Sequence, residues 1–197
     1  LIIYHLHEVG FTGIKCDDFW DVEPVLKIHS ADYLKFLETA WEEWLAAGFT
    51  GDLMAGNFPV RRMQQRCPKH IDGKAGFYSS GNDTSINDGT WEAAKASCMV
   101  AQQAQKVAST GNVACLALCR PPGHHAGKDL FGGYCFLNNA AVAAQMFLDQ
   151  GSQKVAIIDI DFHHGNGTQD IFYERGDVLS ASLHGQPEDS YPYYSGY

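Results

Sequence analysis

Two short histidine-bearing segments hold the side chains best suited to chemistry. In the first, Asp159-Ile-Asp161-Phe-His163-His164-Gly165-Asn166-Gly167 ends an apolar run with acidic and imidazole groups at alternate positions. Along an extended chain residues two apart share a side, so Asp159, Asp161 and His163 are expected to project together while Ile160, Phe162 and His164 face away. Two neighbouring carboxylates withdrawn from water cost several kcal/mol unless they are protonated or neutralised by a cation. A divalent metal removes that cost, because carboxylate oxygens and imidazole nitrogens are ordinary Zn(II) ligands. A single Asp or His at a strand end reads as a helix cap or a solvated group; the cluster is what points to a metal. Gly165 and Gly167 allow a tight turn directly after it.

The second segment, Arg120-Pro-Pro-Gly-His124-His125-Ala126, follows another apolar run. Adjacent histidines behind a Pro-Pro-Gly turn are held stiffly on a loop, which suits imidazoles that must address a bound substrate. Each needs a partner on its second nitrogen. Alone, such a pair is as well explained by surface decoration or incidental metal binding; the acidic strand end one crossover away favours catalysis. Other chemistries lack their motifs: there is no HExxH, no GxSxG and no Gly-rich phosphate loop. Cys135 lies between aromatic residues and reads as core.

The elements that must position these groups follow from periodicity. Ser30 is a candidate N-cap for a helix through Ala31-Asp-Tyr-Leu-Lys-Phe-Leu-Glu-Thr-Ala-Trp-Glu-Glu-Trp-Leu-Ala-Ala-Gly48, with Tyr33, Leu34, Leu37, Trp41, Trp44 and Leu45 on one face. Residues 49–88 break into Gly, Pro, Arg and Asn, which predicts a long loop excursion with little regular structure. A second helix is expected over Trp91 to Ser109 and a third over Asn138 to Gln150. Short apolar runs at 112–119, from Lys154 onward and at 178–183 predict strands, with a short helix over 166–174. Strand alternating with helix predicts a parallel sheet, and ligands collect beyond the carboxyl ends of such strands. Both histidine segments sit there.

The bulk properties agree. A chain of 197 residues with 45% apolar content builds one sizeable core. The net charge of -9 argues against a nucleic-acid backbone as partner and suits a cationic small molecule or a Lys-bearing peptide. Six cysteines without a CxxC pair predict reduced, buried thiols and a cytoplasmic setting. No apolar run is long enough to span a bilayer. Leu1 in place of a methionine and an ending inside an aromatic-rich stretch read as a fragment.

At these residues the sequence resembles the histone deacetylase superfamily, and within it the bacterial acetylpolyamine amidohydrolase branch. The matching motifs are RPPGHHA at 120–126, GGYCFLNNAA at 132–141, DIDFHHGNGTQDIFY at 159–173 and SLHG at 182–185. The stretch at 59–63, the Ile-Asp-Gly at 71–73 and Tyr191-Pro192 lean toward the polyamine branch. The resemblance implies that residues 1–197 are part of a catalytic domain with an arginase/deacetylase-like three-layer α/β fold, a central parallel sheet and helices on both faces. It implies one catalytic zinc, with Asp161 and His163 as two ligands. Asp159 takes the place of the carboxylate that orients His124, and Asn166 that of the residue contacting His125. Tyr134, with Gly133 beside it, matches an aromatic wall of the acyl-amine tunnel, and Asp83 lies where relatives hold substrate from the rim. A structural potassium ion would sit among Ser182 and the carbonyls of Asp159, Asp161, His163 and Leu183. Relatives in the polyamine branch dimerise through a loop like that at 49–88, so a homodimer is expected.

Family members also carry a third metal ligand, an Asp, and a Tyr that hydrogen-bonds the tetrahedral oxyanion; neither has a match within these 197 residues. The implied reaction is hydrolysis of an acetyl amide, with zinc binding both the carbonyl and a water, His125 as general base and later acid, and His124 tuning charge and helping to protonate the departing amine. Acetylpolyamines are the leading substrates, and acetyl-lysine proteins the alternative. A third reading is a scaffold without turnover.

Overall fold

The computed structural model describes residues 2–13, 15–16, 18–60, 63–111 and 114–197. In chain order the elements are α1 (Ile2–Glu8), α2 (Val22–Ile28), α3 (Ala31–Ala46), α4 (Ile71–Phe77), α5 (Thr90–Ser109), α6 (Asn139–Asp149), β1 (Val155–Asp159), α7 (Asn166–Phe172) and β2 (Val178–Ser182).

Local chemistry sets several boundaries. The Ser30 hydroxyl accepts the Tyr33 backbone N–H at 3.3 Å and opens α3, and the Asn138 side chain accepts the Ala141 N–H at 3.1 Å and opens α6. The buried face of α3 is rotated from the expected one: Phe36 and Ala40 join Tyr33, Leu34, Leu37 and Trp44 inside, whereas Leu45 is exposed and Trp41 half-buried. Phe36 stacks on Tyr78 and Phe131, aromatic partners that lie far away in sequence and outweigh the local apolar periodicity.

β1 and β2 pair in parallel, Val155 opposite Val178 through Asp159 opposite Ser182, with α7 as the crossover. Val155 and Ile157 face the core, where α6 covers the sheet and packs in turn on α5 and α2. On the opposite side Ile158 is 68% and Leu179 65% exposed. The Tyr33 hydroxyl donates to the Phe136 carbonyl at 2.7 Å, tying α3 to the segment that precedes α6.

Three expectations need revision. The strand expected at 112–119 begins on two residues outside the described set, and 114–119 join no ladder with any described residue, leaving Leu116 and Leu118 about half exposed. Strands exist through their partners, and neither edge of this run has one here. Within the excursion at 49–88, α4 forms over Ile71–Phe77 despite two glycines, of which Gly76 is required because a Cβ there would collide with the Asn57 backbone. Arg61 and Arg62 of the stretch at 59–63 lie outside the described residues. Of the cysteines expected to be buried, only Cys98 and Cys135 are, while Cys67 and Cys115 are exposed. No described helix is long and apolar enough to cross a membrane.

Candidate active site

The turn that carries His124 and His125 is clamped from two sides. A Cβ at Gly123 would stand 2.6 Å from the Asn139 nitrogen, and one at Gly167 would stand 2.3 Å from the Ala126 carbonyl oxygen. The backbone before α6 and the first turn of α7 therefore touch the turn directly, as only glycine permits. The backbone N–H groups of Gly167 and Thr168 both donate to the His124 carbonyl, at 3.0 and 3.1 Å.

The two imidazoles lie 3.9 Å apart between ring centroids. His124 Nδ1 is 2.8 Å from Asp159 Oδ2, and His125 Nδ1 is 2.7 Å from Asn166 Oδ1. An amide oxygen only accepts, so His125 Nδ1 carries its proton and Nε2 of the neutral ring keeps a free lone pair. Burial, reinforced by the neighbouring His124 and His163 and only partly opposed by Asn166, lowers the His125 pKa to about 4, so the ring is neutral at pH 7.

Beyond β1 the chain bends, and each carboxylate holds the backbone two residues on. Asp159 Oδ1 accepts the Asp161 N–H at 3.0 Å, and Asp161 Oδ1 accepts the His163 N–H at 2.8 Å. These Asx contacts group Asp159, Asp161 and His163 on the side of the dyad, as alternation predicts, while Ile160 and Phe162 point into solvent and His164 is buried against His184. His124 Nε2 is 4.0 Å from Asp161 Oδ1. Burial disfavours the Asp161 carboxylate, yet the His163 backbone N–H and the His124 and His163 imidazoles prevail and hold its pKa below the usual value.

The donor pair suits a zinc ion. His163 Nδ1 and Asp161 Oδ1 are 3.3 Å apart, and ligands at about 2.1 Å in a tetrahedral site are separated by about 3.4 Å. Among the described residues no group of three or more His, Cys, Asp or Glu side chains is placed to hold a metal, so this pair would supply half of a four-ligand shell. A groove of 610 Å³ lined by Cys115, Ala117, Cys119, Ala143 and Phe147 runs up to His124, Asp159 and Asp161.

Gly133 and Tyr134 are both in the left-handed region, at φ +54° and +65°. Gly133 lies against the His125 ring, where an added Cβ would come within 2.3 Å of Cδ2. Asp83 Oδ1 accepts the Gly133 N–H at 3.4 Å and the Thr84 hydroxyl, whose oxygen accepts the Tyr134 N–H at 2.8 Å. Asp83 is thus engaged with the Gly133 backbone and, through Thr84, with that of Tyr134. Tyr134 itself is 66% exposed.

Sequence reasoning assigned no role to Tyr191, yet its ring packs edge-on against His125 at 4.7 Å. The Tyr191-Pro192 pair was the available signal, but no periodicity links it to a histidine sixty-odd positions earlier. Of the residues expected around a potassium ion, Asp159, Ser182 and Leu183 lie together. Asp159 pairs with Ser182, and the Asp159 carbonyl accepts the Leu183 N–H at 2.9 Å. The Ser182 hydroxyl contacts His184 Nδ1 at 2.8 Å, and as donor it keeps its lone pairs for a cation. Cys135 is fully buried and its thiol is pushed up to about 12 by burial, which suits core packing and not nucleophilic chemistry.

A family model described as histone deacetylase domain matches residues 4–197. The chain is 54% identical over 196 residues to an acetylpolyamine amidohydrolase of Mycoplana ramosa, covering all of this chain and 58% of that protein. It is 46% identical to acetylpolyamine amidohydrolase 2 of Pseudomonas aeruginosa, covering 57% of it. The crystal structure of an acetylpolyamine aminohydrolase from Burkholderia pseudomallei superposes with a TM-score of 0.90 at 38% identity, over all of this chain and 56% of that one. The fold is accordingly the α/β arrangement of the arginase/deacetylase kind, and the chain spans little more than half the length of these relatives.

Proposed function

Because the chain belongs to the histone deacetylase domain family, we propose that it contributes the general-base dyad and two metal ligands to zinc-dependent hydrolysis of acetyl amides, with acetylated polyamines as substrates. The observation that carries this reading is the pair of imidazoles 3.9 Å apart, each tied at Nδ1 to a fixed oxygen, with His124 Nε2 4.0 Å from the carboxylate of Asp161. Asp161 and His163 would hold zinc, which when bound supplies Lewis-acid polarisation of the amide carbonyl and of a water.

The chain's own groups do the rest. His125 Nε2 takes the water proton, since its other nitrogen is committed to Asn166. A proton held on His124 is compensated by the Asp159 carboxylate and passes to the departing amine. Gly133 leaves room for the acyl chain beside His125, and Tyr134 and Tyr191 flank the approach; Asp83 acts there by holding Tyr134. Ser182 and the carbonyls of Asp159, Asp161, His163 and Leu183 would hold a potassium ion that stiffens the same bend. The net charge of -9 draws a cationic amine. Apolar side chains exposed on the excursion, Met54, Phe58, Val60 and Met63, offer the surface for a homodimer. Six cysteines without a CxxC pair suit a reducing cytoplasm.

The test uses a polypeptide spanning the full length of the relatives. Acetylputrescine and acetylspermine should turn over faster than an acetyl-lysine peptide, chelation should abolish the reaction, and His125→Ala should lower turnover by on the order of a hundredfold or more. Preference for the peptide would transfer the assignment to protein deacetylation, and full activity after exhaustive chelation would end the zinc reading. One observation favours a second role for these 197 residues taken alone: among the described residues Asp161 and His163 make half a zinc site, so by itself the chain would be a scaffold with weak metal affinity.

A further inference from the structure

Asn138 is fully buried and does not reach the dyad, yet every polar atom it owns is used. Its Nδ2 donates to the Ala126 carbonyl and to the Thr168 hydroxyl oxygen, both at 3.1 Å. Its Oδ1 accepts the Ala141 N–H that opens α6, its backbone N–H donates to His29 Nε2 at 2.9 Å, and its carbonyl accepts the Val142 N–H. Ala126 follows His125 directly, and Thr168 lies two residues after Asn166. The one carboxamide therefore bridges the backbone bearing the imidazole to the helix turn bearing the imidazole's partner.

We propose that Asn138 is a positioning residue, whose two amide hydrogens set the separation between the His125 turn and the start of α7 and so fix the His125–Asn166 hydrogen bond. A hydrogen bond of 2.7 Å between two side chains on different elements survives only if the elements cannot slide. Gly167 lets them touch, but touching restrains only approach. The Nδ2 bonds restrain separation and sliding. His29 completes the device from α2: it is fully buried, and Nε2 must be its bare nitrogen because it accepts the Asn138 N–H. The alternative is that Asn138 merely caps α6. A cap needs only the Oδ1 contact, which a serine also makes, whereas Nδ2 and its two partners have no part in capping.

This inference rests on the role proposed for His125, and its test separates the two. Asn138→Ser keeps a capping oxygen for Ala141 and removes both Nδ2 bonds. Thr168→Val, of nearly the same shape, removes one acceptor without touching the cap. Long-range 1H–15N spectra of the labelled 197-residue chain read the His125 tautomer without substrate or metal. The parent should show a single Nδ1–H form with a downfield, hydrogen-bonded proton; Asn138→Ser should lose that signal, and Thr168→Val should shift it. In the polypeptide of full relative length, kcat should fall about tenfold for Asn138→Ser and severalfold for Thr168→Val, with KM within about twofold of the parent. If both variants keep the parent's His125 signals and kcat, whatever their melting temperatures, the proposal is overturned. Should Asn138→Ser fail to fold, Thr168→Val decides by the same signals. If the parent itself hydrolyses no acetyl amide, the deacetylase reading fails while the spectra still judge the positioning role.

Discussion

His125 and His29 are both neutral imidazoles, but their neighbours give them different consequences. Asn166 presents an uncharged oxygen to His125, so replacing it by a carboxylate would favour the protonated ring. Asn166→Asp should therefore raise the acid limb of the pH–turnover profile by about one unit, with little change on the alkaline side; an unmoved acid limb would show that this contact does not govern the base. His29, buried just past α2, has its pKa lowered by desolvation to about 4 from 6.5. The unfolded chain then takes up the proton first as pH falls. Stability is complete above about pH 6.5 and is lost progressively down to about 4, amounting to roughly 3 kcal/mol from this one group. His125 acts in the same direction. Urea midpoints at pH 7 and pH 4.5 should differ less in His29→Gln than in the parent, and equal differences would discount His29 as the source.

At the scale of elements, the dyad depends on two surfaces in backbone contact. Gly167→Ala would drive a Cβ into the Ala126 carbonyl, where no side chain can yield. It should cost about 1–3 kcal/mol and displace His125 from Asn166, read as a lowered melting temperature together with a drop in turnover larger than the stability loss explains. Much of this scale was legible beforehand. The Ser30 cap, the helices expected over 91–109 and 138–150, and the β1–α7–β2 crossover all follow from local signals that tertiary contacts reinforce. The alternation of Asp159, Asp161 and His163 also holds, although the chain bends there and Asx contacts, not strand pleating, carry it. Long-range causes defeated the rest. The inward turn of Phe36 depends on Tyr78 and Phe131, and the approach of Tyr191 to His125 on how the end of the chain folds back. The run at 112–119 has strand composition, but composition cannot supply a neighbour.

For the molecule as a whole, the donor count sets what it can bind. A complete structural zinc site contributes about 10–16 kcal/mol, so two ligands supply about half of that, which corresponds to micromolar affinity or weaker. Zinc titration of the 197-residue chain should give binding in that range or none, and Asp161→Ala or His163→Ala should remove what there is. Nanomolar binding would mean that further ligands converge than Asp161 and His163. The bare side of the β1–β2 sheet has an equally direct bearing on how this chain behaves in a tube. Ile158 and Leu179 face water on that one side, diagonally across the two strands, an adhesive patch on a strongly acidic particle. Purified alone, the chain should brighten a hydrophobic dye and scatter more light as salt screens its charge, and a lysine at position 158 or 179 should quieten both.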